Sequence, residues 1–125
     1  MKLRNLGQTG IAVSPLGLGT VKFGRDQQVK YPWRFTIPDD QTVLDLLALS
    51  RDLGINLLDT APAYGNSEER LGHLLTQRQE WIIVSKVGES FSNGQSHFDF
   101  SDKATRSTIE NSLQKLKTDY LSPTK

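Results

Sequence analysis

Three side chains in the middle of this sequence have the types and spacing to do chemistry together. Asp59 lies near the end of an apolar run, residues 55–60 (INLLDT), and Tyr64 follows it in a short polar stretch. Lys86 closes a second apolar run, residues 81–86 (WIIVSK). A phenol with a pKa near ~10 is a poor proton donor or acceptor at neutral pH. A neighbouring ammonium stabilises the phenolate and lowers that pKa, and a carboxylate beside the ammonium keeps it charged and oriented. Such a trio makes a general acid that protonates a carbonyl oxygen as it gains a hydride, or a base for the reverse reaction. The protein would not carry the hydride itself; a nicotinamide cofactor would.

For the trio to meet, Asp59 and Lys86 must stand at the carboxyl ends of neighbouring parallel strands, where ligands bind in α/β folds. Strands about 4.8 Å apart bring both side chains into the same space. The elements needed are legible. Residues 3–13 read as a hairpin around a turn at Gly7–Gly10, and residues 16–20 (LGLGT) as a short strand ending at Thr20. Residues 21–38 read as a long loop. A helix follows, capped by Asp39 or Asp40, with Val43, Leu44, Leu46, Leu47 and Ala48 on a wide apolar face and Gly54 at its end. Residues 55–60 form the second strand. A second helix is capped by Asn66 or Ser67, has Glu68 and Glu69 in its first turn, and buries Leu71, Leu74 and Leu75. Residues 81–86 read as a strand buried on both faces, and residues 87–102 as another long loop. A third helix opens at Ser101 or Asp102, with Ile109, Leu113 and Leu116 at helical spacing. Residues 118–121 begin one more strand. This β-α-β-α-β-α order implies a parallel sheet with right-handed crossovers.

Other motifs fail or stay open. A GxGxxG fingerprint on Gly17 and Gly19 needs glycine at Lys22, and the 19–25 stretch lacks the lysine and hydroxyl of a P-loop. His73 reads as a surface or half-buried helix residue. His97, in the loop after Lys86, is a minor candidate for the site. Neither has metal-ligand spacing, so no metal is expected. The chain has 125 residues, 15 basic against 14 acidic, with no basic stripe, no cysteine and no apolar segment of membrane-spanning length. The expectation is one domain in the cytoplasm, without nucleic acid or membrane partners.

With these residues in view, the sequence resembles the aldo-keto reductases over nearly its whole length. Residues 4–20 are similar to that family's opening hairpin and first barrel strand. Residues 54–72 (GINLLDTAPAYGNSEERLG) are similar to its signature, residues 81–88 to its lysine strand, and residues 108–121 to the helix leading into its fourth strand. The resemblance implies a partial (β/α)8 TIM barrel: residues 1–15 the hairpin closing the barrel bottom, residues 16–125 the first β/α units and a fourth-strand stub. It implies NADPH-dependent reduction of aldehydes and ketones, with Tyr64 as general acid, Lys86 lowering its pKa and Asp59 paired with that lysine. Gly19, Thr20 and Asp59 would line the cofactor site, with Lys22 a weaker addition. The loop at 21–37 would shape access for a small-molecule carbonyl substrate.

The family continues with a strand ending in a catalytic histidine, where this sequence has Ser122-Pro123-Thr124-Lys125. A complete barrel of this kind takes about 250 residues. The 125-residue chain is therefore expected to be inactive alone, with an uncovered sheet edge and inner face through which it could self-associate. Two rival expectations stand beside this: a non-catalytic, reductase-like binding or regulatory module, and a truncated remnant without function.

Overall fold

A computed structural model describes residues 1–29 and 35–121. Strands β1 (Arg4–Asn5) and β2 (Ala12–Val13) pair antiparallel across the Gly7–Gly10 turn, as expected from that turn. β3 (Gly17–Gly19), β4 (Leu57–Asp59) and β5 (Ile82–Val84) form a parallel sheet in that order. Helices α1 (Asp40–Asp52), α2 (Ser67–Leu74) and α3 (Asp102–Leu116) follow the three strands in turn. Register aligns Gly19, Asp59 and Val84 in one row, so the strand ends are level. Lys86 lies two residues beyond Val84, on the same side of the pleat.

The sheet is covered on one face. Leu58 and Ile83 are fully buried under the helices and pack with Phe23, Val43, Leu47, Leu71, Trp81 and Leu116. Each such side chain contributes roughly 1.5–3 kcal/mol by leaving water. The opposite face, with Leu57, Asp59, Ile82 and Val84, is only partly buried, and Val84 is 38% exposed. The expectation that residues 81–86 are buried on both faces is therefore corrected. An apolar run marks a buried strand, but the second covering layer must come from other segments.

Asp39 caps α1, its carboxylate accepting from Thr42 N at 2.8 Å. The α1 face is narrower than expected: Val43, Leu47 and Ser50 are buried while Leu46 and Ala48 face outward. In α3, capped by Ser101, Ser112 and Leu116 are buried and Ile109 is 40% exposed. Small residues suit this contact, because α2 and α3 approach so closely that a Cβ on Gly72 would fall 2.0 Å from the Lys115 carbonyl oxygen. Residues 118–121, expected to start a strand, pair with none of the described strands; the Tyr120 carbonyl accepts from Arg78, and Leu121 packs on the core.

The second expected loop is largely ordered as a hairpin, β6 (Glu89–Ser92) with β7 (Gln95–Phe98). Asn93 and Gly94 turn it with φ of 53° and 74°. Asn-Gly between two short strands is the strongest short-range hairpin signal, and it was present in the sequence. The loop after β3 opens with a 3-10 turn at Val21–Phe23, and residues 30–34 of it lie outside the described residues. Among the described residues, no helix is long and apolar enough to cross a membrane.

Candidate active site

Asp59 closes β4, Lys86 follows β5, and Tyr64 sits on the turn between β4 and α2. The structure brings all three together. Lys86 Nζ donates to Tyr64 Oη at 3.1 Å, to Asp59 Oδ1 in a short ion pair, and to the Thr60 carbonyl at 3.0 Å. An ammonium has three donors, and here each has an oxygen. Thr60 was not foreseen as part of this set, because a backbone carbonyl leaves no mark on residue type. The Lys86 and Asp59 side chains are 47% and 49% exposed, so the trio opens to solvent. Partial burial pulls the Lys86 pKa down, but the hydrogen bonds from Asp59 and Tyr64 and their charges outweigh it, and the net shift is upward. Lys86 therefore stays an ammonium across the physiological range.

The Tyr64 turn is held from three sides. Thr60 N donates to Val84 O at 2.8 Å, Tyr64 N to Ala61 O at 3.1 Å, and Ser67 N to Tyr64 O at 3.1 Å. The loop after β3 presses on it: Gly65 has φ +60°, and a Cβ there would meet the Gly24 carbonyl oxygen at 1.8 Å. Arg25 Nη1 donates to the Ala63 carbonyl at 3.1 Å, while its guanidinium stacks 3.9 Å from the Phe91 ring centroid on β6. One arginine thus touches the loops that follow all three parallel strands. The sequence gives no sign of this beyond the residue's charge.

The hydroxyls behind the site were half anticipated. Asn66 occupies the N-cap position of α2 without a side-chain capping bond. Ser67 instead turns inward, 2.8 Å from Thr20 Oγ1 and 3.1 Å from Thr60 Oγ1, and Thr20 donates to the Asp59 carbonyl at 2.9 Å. Thr20, Thr60 and Ser67 are fully buried, so this ladder joins two strand ends to the helix start. The Thr20 side chain is spent on that joint. Gly19 is exposed, with open space where a Cβ would stand. Lys22 lies 4.9 Å from the Phe35 ring centroid. His97 is on β7 rather than in a loop and borders a separate cavity with Glu89 and Asp99; His73 Nδ1 is 3.1 Å from Lys117 Nζ on the α2–α3 contact.

A phenol, an ammonium and a carboxylate at level ends of parallel β/α strands define a class of site suited to proton transfer at a carbonyl. The sequence profile of the Aldo/keto reductase family matches residues 15–122. The chain is 33% identical over 126 aligned positions to aldo-keto reductase YhdN of Bacillus subtilis, covering 97% of this chain and 36% of that protein. It is 36% identical to L-galactose dehydrogenase of Arabidopsis thaliana, again over 97% of this chain and 36% of the relative. A solved Pseudomonas aeruginosa structure assigned to the aldo-keto reductases is 65% identical and superposes with a TM-score of 0.86, over 95% of this chain and 44% of that one. The chain belongs to the Aldo/keto reductase family. Its sheet and helices are part of that family's (β/α)8 barrel, and it spans little more than a third of the length of these curated relatives.

Proposed function

We propose that this chain contributes the proton-transfer half of a carbonyl-reducing site that works with NADPH. The observation that carries the reading is Lys86 Nζ standing 3.1 Å from Tyr64 Oη while also pairing with Asp59. Reduced nicotinamide, when bound, supplies the hydride. The residues present fit that role: Gly19 stands level with Asp59 at the neighbouring strand end, is exposed, and has open space where a Cβ would stand. Gly19 and Asp59 would border the cofactor, and Thr20 would act by holding the Asp59 backbone in place.

In reduction, the Tyr64 hydroxyl donates its proton to the aldehyde or ketone oxygen as that oxygen gains charge. Lys86 holds the phenolate left behind, and Asp59 and the Thr60 carbonyl hold Lys86. In oxidation the phenolate accepts the alcohol proton. The hairpin β1–β2 would close the base of the barrel, and a cytoplasmic setting with a small carbonyl substrate suits this chemistry. The uncovered face of β3–β5 would be completed by further β/α units or by self-association. A general acid contributes about 10²–10⁴-fold to rate. Tyr64→Phe in the full-length protein should lower kcat for a test aldehyde by that range at unchanged fold, measured by NADPH oxidation; undiminished turnover would refute the role.

A further inference from the structure

Among the described residues Glu68 is the one buried carboxylate, 2% exposed, and the proton-transfer chemistry does not use it. It lies in the first turn of α2, where the helix dipole favours an anion. Among the described residues its side chain forms no ion pair. Its one side-chain hydrogen bond there is from Ser85 Oγ to Oε2 at 2.8 Å. Burying a carboxylate on so little is costly, so its retention there calls for a reason. Ser85 immediately precedes Lys86, and Glu68 lies four residues after Tyr64 on the segment that runs into α2. The bond therefore bridges the two segments whose separation fixes the 3.1 Å contact between Lys86 and Tyr64. Neighbouring Ser67 ties the same helical turn to Thr20 and Thr60, but not to β5.

We propose that Glu68 is a positioning residue for Lys86: through the Ser85 hydroxyl it locks the start of α2, and Tyr64 with it, against the strand end that carries the lysine. The inference rests on reading Tyr64 and Lys86 as the proton-transfer pair. The groups that face the Lys86 ammonium are Asp59, Tyr64 and the Thr60 carbonyl. Glu68 faces Ser85 and, across a cavity of about 400 Å³, shares walls with Glu89, His97, Asp99 and Lys115. None of these cavity groups bonds to Lys86, so a change at Glu68 or Ser85 reaches the lysine through geometry.

The test is an NMR titration of the Lys86 side chain in the isotope-labelled full-length protein. Ser85→Ala should lower the Lys86 midpoint by about half a unit, and Ser85→Thr, which restores a hydroxyl, should return it. Glu68→Met keeps the side chain's length and removes the carboxylate acceptor; it should lower the midpoint equally, and the double variant should shift no further than either single one. An unchanged midpoint in Ser85→Ala, failure of threonine to rescue, or additive shifts would overturn the proposal. If Glu68→Met does not fold, the two Ser85 variants decide alone. No cofactor or turnover enters this measurement, so it can fail while carbonyl reduction stands, and the reverse.

Discussion

Replacing Gly65 by alanine bears on the contact that seats the Tyr64 turn against the loop after β3. The glycine has φ +60°, and the new Cβ would lie 1.8 Å from the Gly24 carbonyl oxygen. A left-handed alanine costs about 1–2 kcal/mol. Real Cβ atoms stay beyond 3.0 Å of such an oxygen, so the two backbones must part by more than about 1 Å. Forcing a packed contact apart adds about 1–3 kcal/mol. The sum is near 2–5 kcal/mol, or roughly a 10–15 °C fall in melting temperature at its midpoint for a chain of this size. If the Tyr64 side yields, a shift of that length takes its hydroxyl beyond hydrogen-bond range of Lys86, now at 3.1 Å. The assay is a thermal melt by circular dichroism with the Lys86 side-chain NMR signal followed in parallel. Gly19→Ala is the control: its Cβ meets nothing within 4 Å, and stability should change by less than about 0.5 kcal/mol. A Gly65→Ala protein with wild-type melting and an unmoved Lys86 signal would refute the close approach on which the site's geometry depends.

Asp59→Asn should lower the Lys86 titration midpoint, because the carboxylate's hydrogen bond and charge offset the burial that depresses it. The folded Lys86 pKa lies above its ordinary 10.5, so the ion set's stabilisation is complete below that value and is lost as pH rises through the folded pKa; the Asp59→Asn variant should lack this alkaline component in pH-dependent melts. At nearly half exposure the pair is worth only about 0–1 kcal/mol. Asp39→Ala should lower the melting temperature, whereas Asn66→Ala should leave it nearly unchanged, since only Asp39 makes a capping bond. That bond holds the Asp39 pKa below its ordinary 3.8, so its contribution should be present above that value and disappear as pH falls through the lower folded pKa.

Asp59, Tyr64 and Lys86 were legible because residue type and position along a β/α alternation already constrain where a side chain points. Apolar runs locate strands, the pleat fixes which face a strand-end residue shares, and parallel order puts carboxyl ends together. The same logic found the opening hairpin and narrowed the α1 cap to Asp39 or Asp40, of which the structure uses Asp39. It missed the β6–β7 hairpin because its strands carry few apolar residues, although Asn93-Gly94 announced the turn. It placed Ile109 inward with Leu116, where the close α2–α3 approach at Gly72 buries Leu116 as expected but takes Ser112 rather than Ile109.

What the sequence determined by itself is the family, the order of the β/α units and the three chemical groups at their ends. The order and the groups are local properties carried by pattern and spacing; the family was read from the likeness of several separated segments. Only the tertiary structure decided that Thr20 and Ser67 turn inward, that Arg25 reaches the Tyr64 turn, that the Thr60 carbonyl completes the lysine's shell, and that Glu68 is buried on Ser85. Those depend on which segments approach in space, and a hydroxyl or guanidinium takes its partner from whatever the packed backbone presents.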